Sequence, residues 1–417
     1  MLLLVNSVSN GDERVGYLEQ MLKPFRSRSF SLIFLTTVSV SLGDMLMDVS
    51  SGWLVLDLTN SPLSMGIFWA IRSLPNLLFG MLGGATADKM DRKKLLIACY
   101  SLYTVCGFLF GFLIMSGQIQ LYHALTLIFI RGIIRAFESP TRQSFIVDIV
   151  GRSNAMNGIS LNAVGMRGIG IFGGALAGLI IEQFGNEWPF FVLASVFMMT
   201  ILLVSFIRED RTERVAQQLS IWRNIVEGIQ IVRNNRIVLS LMIMAATCEM
   251  FGFSFPVLVP VFARDVLNVG AVGNGMINAF RSGGGLLISI VLASLGDFKQ
   301  KGKLLLGMYL MFGVGLVLYA NSSIYALALF FMGIVGMSAA GHDAMSQILL
   351  QLNVEEEQRG RAMGIWQLSI GFGVIGSMTL GSLAEIYGAS FAQSIFGGIM
   401  VLIFVLMYKT VPKLKEL

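Results

Sequence analysis

The sequence predicts an all-α membrane protein whose twelve transmembrane helices form two pseudo-symmetric bundles of six. Three observations support this fold class: the apolar composition, the spacing of apolar runs, and an internal repeat. Of the 417 residues, 55% are hydrophobic and 13% are charged, and the mean hydropathy is +0.74. Soluble domains carry about 25% charged residues. Because every backbone polar group must be satisfied inside lipid, open sheets are excluded and helices are expected.

Apolar runs of about 20 residues, the length that crosses the hydrocarbon core as a helix, recur along the chain. We predict twelve spans, at 30–56, 63–87, 95–115, 121–137, 156–182, 188–207, 237–263, 271–295, 304–320, 324–347, 362–384 and 391–408. The fourth span is expected to have a polar extension beyond residue 137. The charged segment between the sixth and seventh spans keeps apolar residues at a helical period, which predicts an amphipathic helix against the membrane or the bundle. The predicted domains are a tail (1–29), a first bundle (30–207), a linker (208–236), a second bundle (237–409) and a tail (410–417).

Basic residues lie mainly in the loops of one side. The clusters at 89–94 and 299–303, both tails and the linker share that side, whereas the loops of the other side contain only Arg264. Cytoplasmic loops carry the excess of Lys and Arg. We therefore expect a multi-pass protein of the cell membrane (inner or plasma) with both termini in the cytoplasm. The net charge of +5 follows from this topology, and we expect no nucleic-acid partner.

The second half of the chain repeats the first. An offset of 209 residues places Gly66, Ala70, Arg72 and Asp88 on Gly275, Ala279, Arg281 and Asp297. An offset of 203 places Gly178 and Glu182 on Gly381 and Glu385, and an offset of 204 places Gly132 on Gly336. Parallel six-span repeats are typical of transporters that rock two bundles about a central site.

The segment 84–94, which reads GATADKMDRKK, resembles the loop motif between the second and third spans of the major facilitator superfamily. Asp91 stands where many members have Gly. The stretches WLVLDLTNSPLSMG (53–66), RSLP (72–75), PTRQ (140–143) and LGDFKQKGK (295–303) are similar to the exporter branch of enterobactin exporters and macrolide-type drug:proton antiporters. The resemblance covers residues 24–410.

This resemblance implies the function. It indicates a secondary active transporter that exports an amphiphilic small molecule, drug-like or a siderophore, by alternating access and proton antiport. It implies a monomer in membrane lipid, with no cofactor. The alternatives are a facilitator or importer of a small metabolite, and a non-transporting scaffold or sensor on the same fold.

The loop motif acts as a latch in that family, where its Asp meets a neighbouring helix and holds the halves together in the outward-facing state. The resemblance therefore implies a cytoplasmic gate formed by Gly84, Asp88, Arg92, Lys93, Lys94 and, through the repeat, Asp297. The alternative is a solvated loop that follows the positive-inside rule.

Charged residues within the spans are the candidates for substrate binding and proton coupling, because an ionisable side chain at mid-bilayer costs about 2.5–3.5 kcal/mol. The candidates are Asp44, Asp48, Arg72, Arg131, Arg167, Glu249 and Arg281, with Arg135 as a neighbour. Either an acid carries the coupled proton, or the charges form permanent ion pairs. We favour structural pairing for Arg72 and Arg281, which would join the first two spans of each half.

Three further features bear on mechanism. Arg131 resembles the Arg of the superfamily's fourth span, which is linked with proton transfer, although Arg135 one turn later is an alternative match. The fifth span lacks the Pro of the antiporter signature. The neighbours His342 and Asp343 are interpreted as a polar patch at a helix end.

The sequence offers little for an enzyme. Its three cysteines, Cys99, Cys106 and Cys248, fall inside predicted spans without the spacing of metal ligands, and we find no nucleophile with a neighbouring base. We expect no catalytic residue and no metal.

Overall fold

The computed structural model describes residues 23–151, 155–207, 221–295, 299–411 and 413–416. The long helices of these residues are α1 (Arg28–Thr59), α2 (Pro62–Lys89), α3 (Arg92–Met115), α4 (Leu121–Val150), α5 (Ala155–Phe184), α6 (Trp188–Ser205), α7 (Ile221–Asn234), α8 (Arg236–Val266), α9 (Gly270–Leu295), α10 (Lys301–Ala320), α11 (Tyr325–Leu352), α12 (Arg359–Tyr387) and α13 (Ala389–Thr410). The predicted tail 1–22, the first part of the linker and Asp297 lie outside the described residues.

Within the described residues, eleven helices are long and apolar enough to cross a membrane. The twelfth span is α4, which also lies in the bundle but carries five charged residues between Arg131 and Asp148. Neighbouring helices cover three of these side chains, since Arg131, Glu138 and Arg142 are at most 6% exposed. α4 continues to Val150, so the polar extension that the sequence predicts beyond residue 137 is helical. The remaining long helix, α7, is the predicted amphipathic helix of the linker.

Local signals explain where the first helices begin and end. Asn60 adopts a left-handed conformation (φ 51°) that ends α1, and Ser61 with Pro62 starts α2 by accepting a hydrogen bond from the Ser64 N–H. The side chain of Asp91 accepts the Lys94 N–H at 3.0 Å and so caps α3. The residue that departs from the family's loop motif thus has a local role as a helix cap.

The seventh span, α8, is irregular. An α-helix over Arg236–Thr247 passes into π-helical turns at Cys248–Gly252 and Phe262–Val266, with a 3-10 turn between them at Phe255–Val257. Pro256 and Pro260 lie in this part of the chain, and proline has no N–H to donate to a helical ladder. The π turns leave an irregular backbone around Glu249, a feature that is frequent at functional sites.

The internal repeat is visible in the packing within each bundle. α2 packs on α4, and α9 packs on α11 in the equivalent way. A Cβ atom on Gly132 would lie 3.1 Å from the carbonyl oxygen of Arg72, and one on Gly336 would collide with the carbonyl oxygen of Arg281. The residues matched by the 209 and 204 offsets therefore meet each other in both halves.

Two glycine seams join the halves. In one seam, a Cβ on Gly66 of α2 would lie 2.6 Å from the carbonyl oxygen of Ser377 and 3.2 Å from the Cα of Gly381 in α12. In the other seam, a Cβ on Gly275 of α9 would lie 3.2 Å from the Cα of Gly178 in α5. Small residues let helix backbones approach closely in membranes. The glycines of the repeat thus serve as the contact surface between the bundles.

Candidate functional site

A cavity of about 340 Å³ lies between the two halves. It is lined by Ser41, Met45, Met166, Arg167, Gly170, Phe253, Phe255, Pro256, Arg281, Ser282, Gly285, Gly336, Ala339, Ala340 and Asp343. These residues come from α1 and α5 of the first half and from α8, α9 and α11 of the second. Two of the predicted candidates, Arg167 and Arg281, lie in this lining. Asp343 lies there as well, and not in a patch at the end of its helix.

The two acids in the middle of α1, Asp44 and Asp48, are bound by arginines. Arg72 of α2 donates two hydrogen bonds to the Asp48 carboxylate of α1, at 2.8 and 2.5 Å. Arg131 of α4 donates a hydrogen bond to Asp44 and lies 3.9 Å from Asp48, while Arg135 lies 3.5 Å from Asp44. Five of the predicted charged residues therefore form one network that joins α1, α2 and α4.

Arg281 differs from its repeat partner Arg72. Within the described part of the chain it has no ion pair, and its Nε has no hydrogen-bond partner. Its guanidinium lies over the ring of Phe255 of α8, 5.8 Å from the centroid. The predicted contact between the seventh and eighth spans is present, but an aromatic face takes the place of a carboxylate.

Glu249 and Asp343 of the second half have no arginine partner within 4 Å among the described residues. Glu249 projects from the first π turn of α8 toward α12, where a Cβ on Gly373 would lie 3.5 Å from its Oε2. Asp343 accepts a hydrogen bond from Gln347 one turn later, at 3.0 Å. Neither carboxylate has the charge neutralisation found for Asp44 and Asp48, and of the two only Asp343 lines the central cavity.

The predicted gate motif forms a compact cluster on the first half. Arg92 binds Asp148 of α4 at 2.6 Å and lies 3.5 Å from Asp88, whose side chain is 63% exposed. Lys93 donates to the carbonyl oxygens of Ser205 and Ile207 at 2.8 Å, at the end of α6. Lys94 is 81% exposed, and a Cβ on Gly84 would meet nothing within 4 Å. The motif therefore ties α2, α3, α4 and α6 together.

Sequence analysis missed a buried polar cluster on α4. Arg142 donates to Glu138 at 2.7 Å, and the hydroxyl of Tyr100 in α3 donates to the same oxygen at 3.1 Å. All three side chains are buried. The sequence contains a signal for this cluster, because the charges at 131, 135, 138 and 142 are three or four residues apart and therefore share one face of the helix.

Polar contacts also close one end of the bundle, which we call the outer end because the predicted topology makes it extracellular. Glu385 of α12 accepts hydrogen bonds from the Ser61 hydroxyl at 2.8 Å and the Leu63 N–H at 3.1 Å, at the start of α2. Arg264 donates to Asn60 and to the Leu56 carbonyl. Glu182 takes the position equivalent to Glu385, beside Gly270 at the start of α9. Sequence analysis found the glutamates only as members of the repeat.

Nothing in this arrangement forms a metal centre or a catalytic constellation. Among the described residues, no group of three His, Cys, Asp or Glu side chains could hold a metal ion. The three cysteines are buried within the helices. A cavity between two repeated bundles of membrane-spanning helices is instead the architecture of a secondary transporter.

Comparison with known proteins identifies the family. The sequence profile described as transmembrane secretion effector matches residues 19–417, and the chain belongs to this family of major facilitator superfamily transporters. It is a multi-pass membrane protein and not an enzyme.

Two relatives and one solved structure illustrate the likeness. The staphyloferrin A transporter of Staphylococcus aureus (strain NCTC 8325 / PS 47) is 25% identical over 411 residues, which are 95% of this chain and 97% of that one. Macrolide efflux protein A of Streptococcus pyogenes is 20% identical over 74% of this chain and 77% of its own. The xylose transporter XylE from E. coli, in an inward-open conformation, superposes with a TM-score of 0.69 at 16% identity over 92% of this chain and 96% of that one. The major facilitator fold is confirmed.

Proposed function

We propose that this protein exports an amphiphilic small molecule, drug-like or a siderophore, by alternating access coupled to proton influx. The observation that carries the proposal is Glu249, a carboxylate within a membrane span that has no ion pair or side-chain hydrogen bond among the described residues. An unpaired charge is costly inside a bilayer, so such an acid favours binding a proton when the surrounding water is displaced. The names of the two relatives, a siderophore transporter and an efflux protein, support this substrate range.

The state of the gate supports alternating access. The glycine seams and the Glu385 contacts join the halves at the outer end, whereas Asp88 is exposed and lies against its own half. We propose that this is the inward-facing state. In the outward-facing state the outer contacts separate and Asp88 closes against the second half. The termini then face the cytoplasm of a cell-membrane monomer, as the distribution of Lys and Arg predicts.

The apolar part of the cavity suits an amphiphile. Met45, Phe253 and Phe255 line it, and methionine and aromatic side chains adapt to varied apolar groups. Of the charged candidates, we assign Arg167 and Arg281 to the substrate and Glu249 to the proton. Asp44, Asp48, Arg72 and Arg131 hold the first bundle together, so their effect on coupling is indirect.

The test uses inside-out membrane vesicles and two fluorescent amphiphiles, anionic fluorescein and cationic ethidium. An acid-inside pH gradient should drive accumulation of at least one of them by the wild-type protein, and Glu249→Gln should remove the response to the gradient. Glu187→Gln, which changes an acid in the outer loop before α6, is the matched control and should keep it. The proposal fails if accumulation is the same with and without the gradient. It also fails if Glu249→Gln behaves like the wild type.

A further inference from the structure

The central cavity has an excess of positive charge. Its lining contains three charged side chains, the arginines at 167 and 281 and the single acid Asp343. Asp44 and Asp48 of α1 do not offset this positive charge, because Arg131 and Arg72 already bind them. A ligand in the cavity therefore meets one more guanidinium than carboxylate.

Arg281 is available to a ligand. Its Nε is buried without a hydrogen-bond partner, and Asp48, the acid whose charge acts on it most, is held by two hydrogen bonds from Arg72. A buried polar group without a partner is costly, and a guanidinium pairs best with a planar carboxylate in a bidentate geometry. The stacked Phe255 ring fixes one face of the guanidinium and leaves its edge for such a pair.

Arg167 approaches the cavity from the other half. It extends from α5 and donates one hydrogen bond across the interface between the halves, to the carbonyl oxygen of Gly285 in α9 at 3.2 Å. The nearest acidic influence on it is Asp343 of α11, which lies beyond ion-pair distance and is held by Gln347. Arg167 therefore belongs to one bundle while its partners belong to the other.

We propose that the substrate is an amphiphilic anion with at least one carboxylate, which binds to Arg281 and Arg167 together while its apolar part lies against Met45, Phe253 and Phe255. This rests on the proposed function and names its substrate class. The two arginines reach the same anion from opposite halves. Asp343 lines the same cavity as a competing carboxylate, and its negative charge opposes the binding of the anion to Arg167.

The experiment is a binding measurement on the purified full-length protein in detergent, without any gradient. The probes share one apolar group and differ in charge: 2-naphthylacetate, 2-naphthylacetamide and 2-(2-naphthyl)ethylamine. The affinity is taken from the concentration dependence of the thermal unfolding midpoint. We expect the carboxylate to bind about tenfold or more tightly than the amide, the factor typical of a hydrogen bond to a charged group. The amine should bind most weakly.

Variants of the charged residues in the cavity test whether the preference for the carboxylate probe arises there. Arg281→Gln and Arg167→Gln should each remove the preference for the carboxylate, while Arg281→Lys and Arg167→Lys, which keep the charge, should retain most of it. Arg236→Gln, which changes an exposed arginine at the start of α8, is the matched control and should bind like the wild type. Asp343→Asn should bind the carboxylate several-fold more tightly, because a competitor for Arg167 is lost.

Equal binding of the three probes, tighter binding of the amine, or an unchanged preference in both glutamine variants would overturn the proposal. The lysine variants keep the test valid if a glutamine variant unfolds. The outcome is separate from that of the vesicle experiment. If the vesicles accumulate an amphiphile in response to the pH gradient but the purified protein binds the three probes equally, only the proposed substrate class is rejected. If the purified protein prefers the carboxylate but the vesicles do not respond to the gradient, only the proposed proton coupling is rejected.

Discussion

The two halves of this transporter repeat one fold but distribute their charges differently. In the first half, Asp44 and Asp48 of α1 are bound by arginines of α2 and α4. In the second half, neither Glu249 nor Asp343 has an arginine within 4 Å among the described residues, and Arg281 lies on an aromatic ring where its repeat partner Arg72 holds a carboxylate. The glycines of the repeat give equivalent helix packing in the two halves, whereas the charged side chains have different partners. The charges of Asp44 and Asp48 are therefore neutralised within the first half, whereas our proposal places ligand and proton binding on the second half and Arg167.

The largest expected effect comes from breaking the network of the first half. Arg131→Gln leaves Asp44 with Arg135 alone, at 3.5 Å, and removing one partner of a buried ion pair costs about 3 kcal/mol. We expect a large fall in the thermal unfolding midpoint in detergent. The double variant with Asp44→Asn should recover much of the loss. If the single variant is as stable as the wild type, the first half is not held together by these pairs.

The comparison between the repeated arginines is the next test. Arg72→Gln should destabilise the protein by about 2 kcal/mol, because it leaves Asp48 with a single arginine at 3.9 Å. Arg281→Gln leaves no carboxylate unpaired and should change stability by less than about 1 kcal/mol. Unfolding midpoints measured side by side check this difference. Equal losses in the two variants would show that the halves use their arginines alike.

The glycine seams give a test of the conformational equilibrium. In Gly381→Ala the new Cβ would lie 2.7 Å from the carbonyl oxygen of Pro62 and 2.9 Å from the Cα of Gly66, so the outer end cannot close fully. Spin labels at the exposed outer-loop positions Gln118 and Ser323 should then report a larger share of long distances. Gly398→Ala adds a Cβ that meets nothing within 4 Å, and it should leave the distances unchanged. A wild-type distribution in Gly381→Ala would contradict the role of the seam.

The smallest expected effect is at the gate. Asp88 is exposed and weakly paired in this state, so Asp88→Asn should change stability by less than about 0.5 kcal/mol. We still expect it to favour the inward-facing population, because the outward-facing state would lose its latch. The same spin-label pair measures this. Unchanged populations would show that the motif only binds the helices of its own half.

Periodicity and composition were sufficient to predict the twelve spans, the linker helix and the repeat. They indicated that α4 extends beyond its apolar part but not where it ends, because a hydropathy pattern ends at the charges while the helix continues and buries them against α3. They also missed the π turns around Glu249, since backbone irregularity depends on packing around Pro256 and Pro260. Asp343 was placed wrongly because a residue near one end of a predicted span can still face the centre of a long helix. No pattern in one chain shows that Gly66 meets Gly381, which are 315 positions apart.

The glycine seams at the outer end bear on whether protons can leak through the transporter. Passage of a proton through a closed transporter needs a chain of water molecules, and each water needs space and polar partners. The seams bring backbone against backbone, with no side chain at Gly66, Gly178, Gly275 or Gly381 to leave gaps between the helices. Glu385 and Arg264 lie at the rim of this closure and bind protein groups across it. With the proposed coupling to protons, an outer end closed in this way would limit the leakage of protons through the transporter.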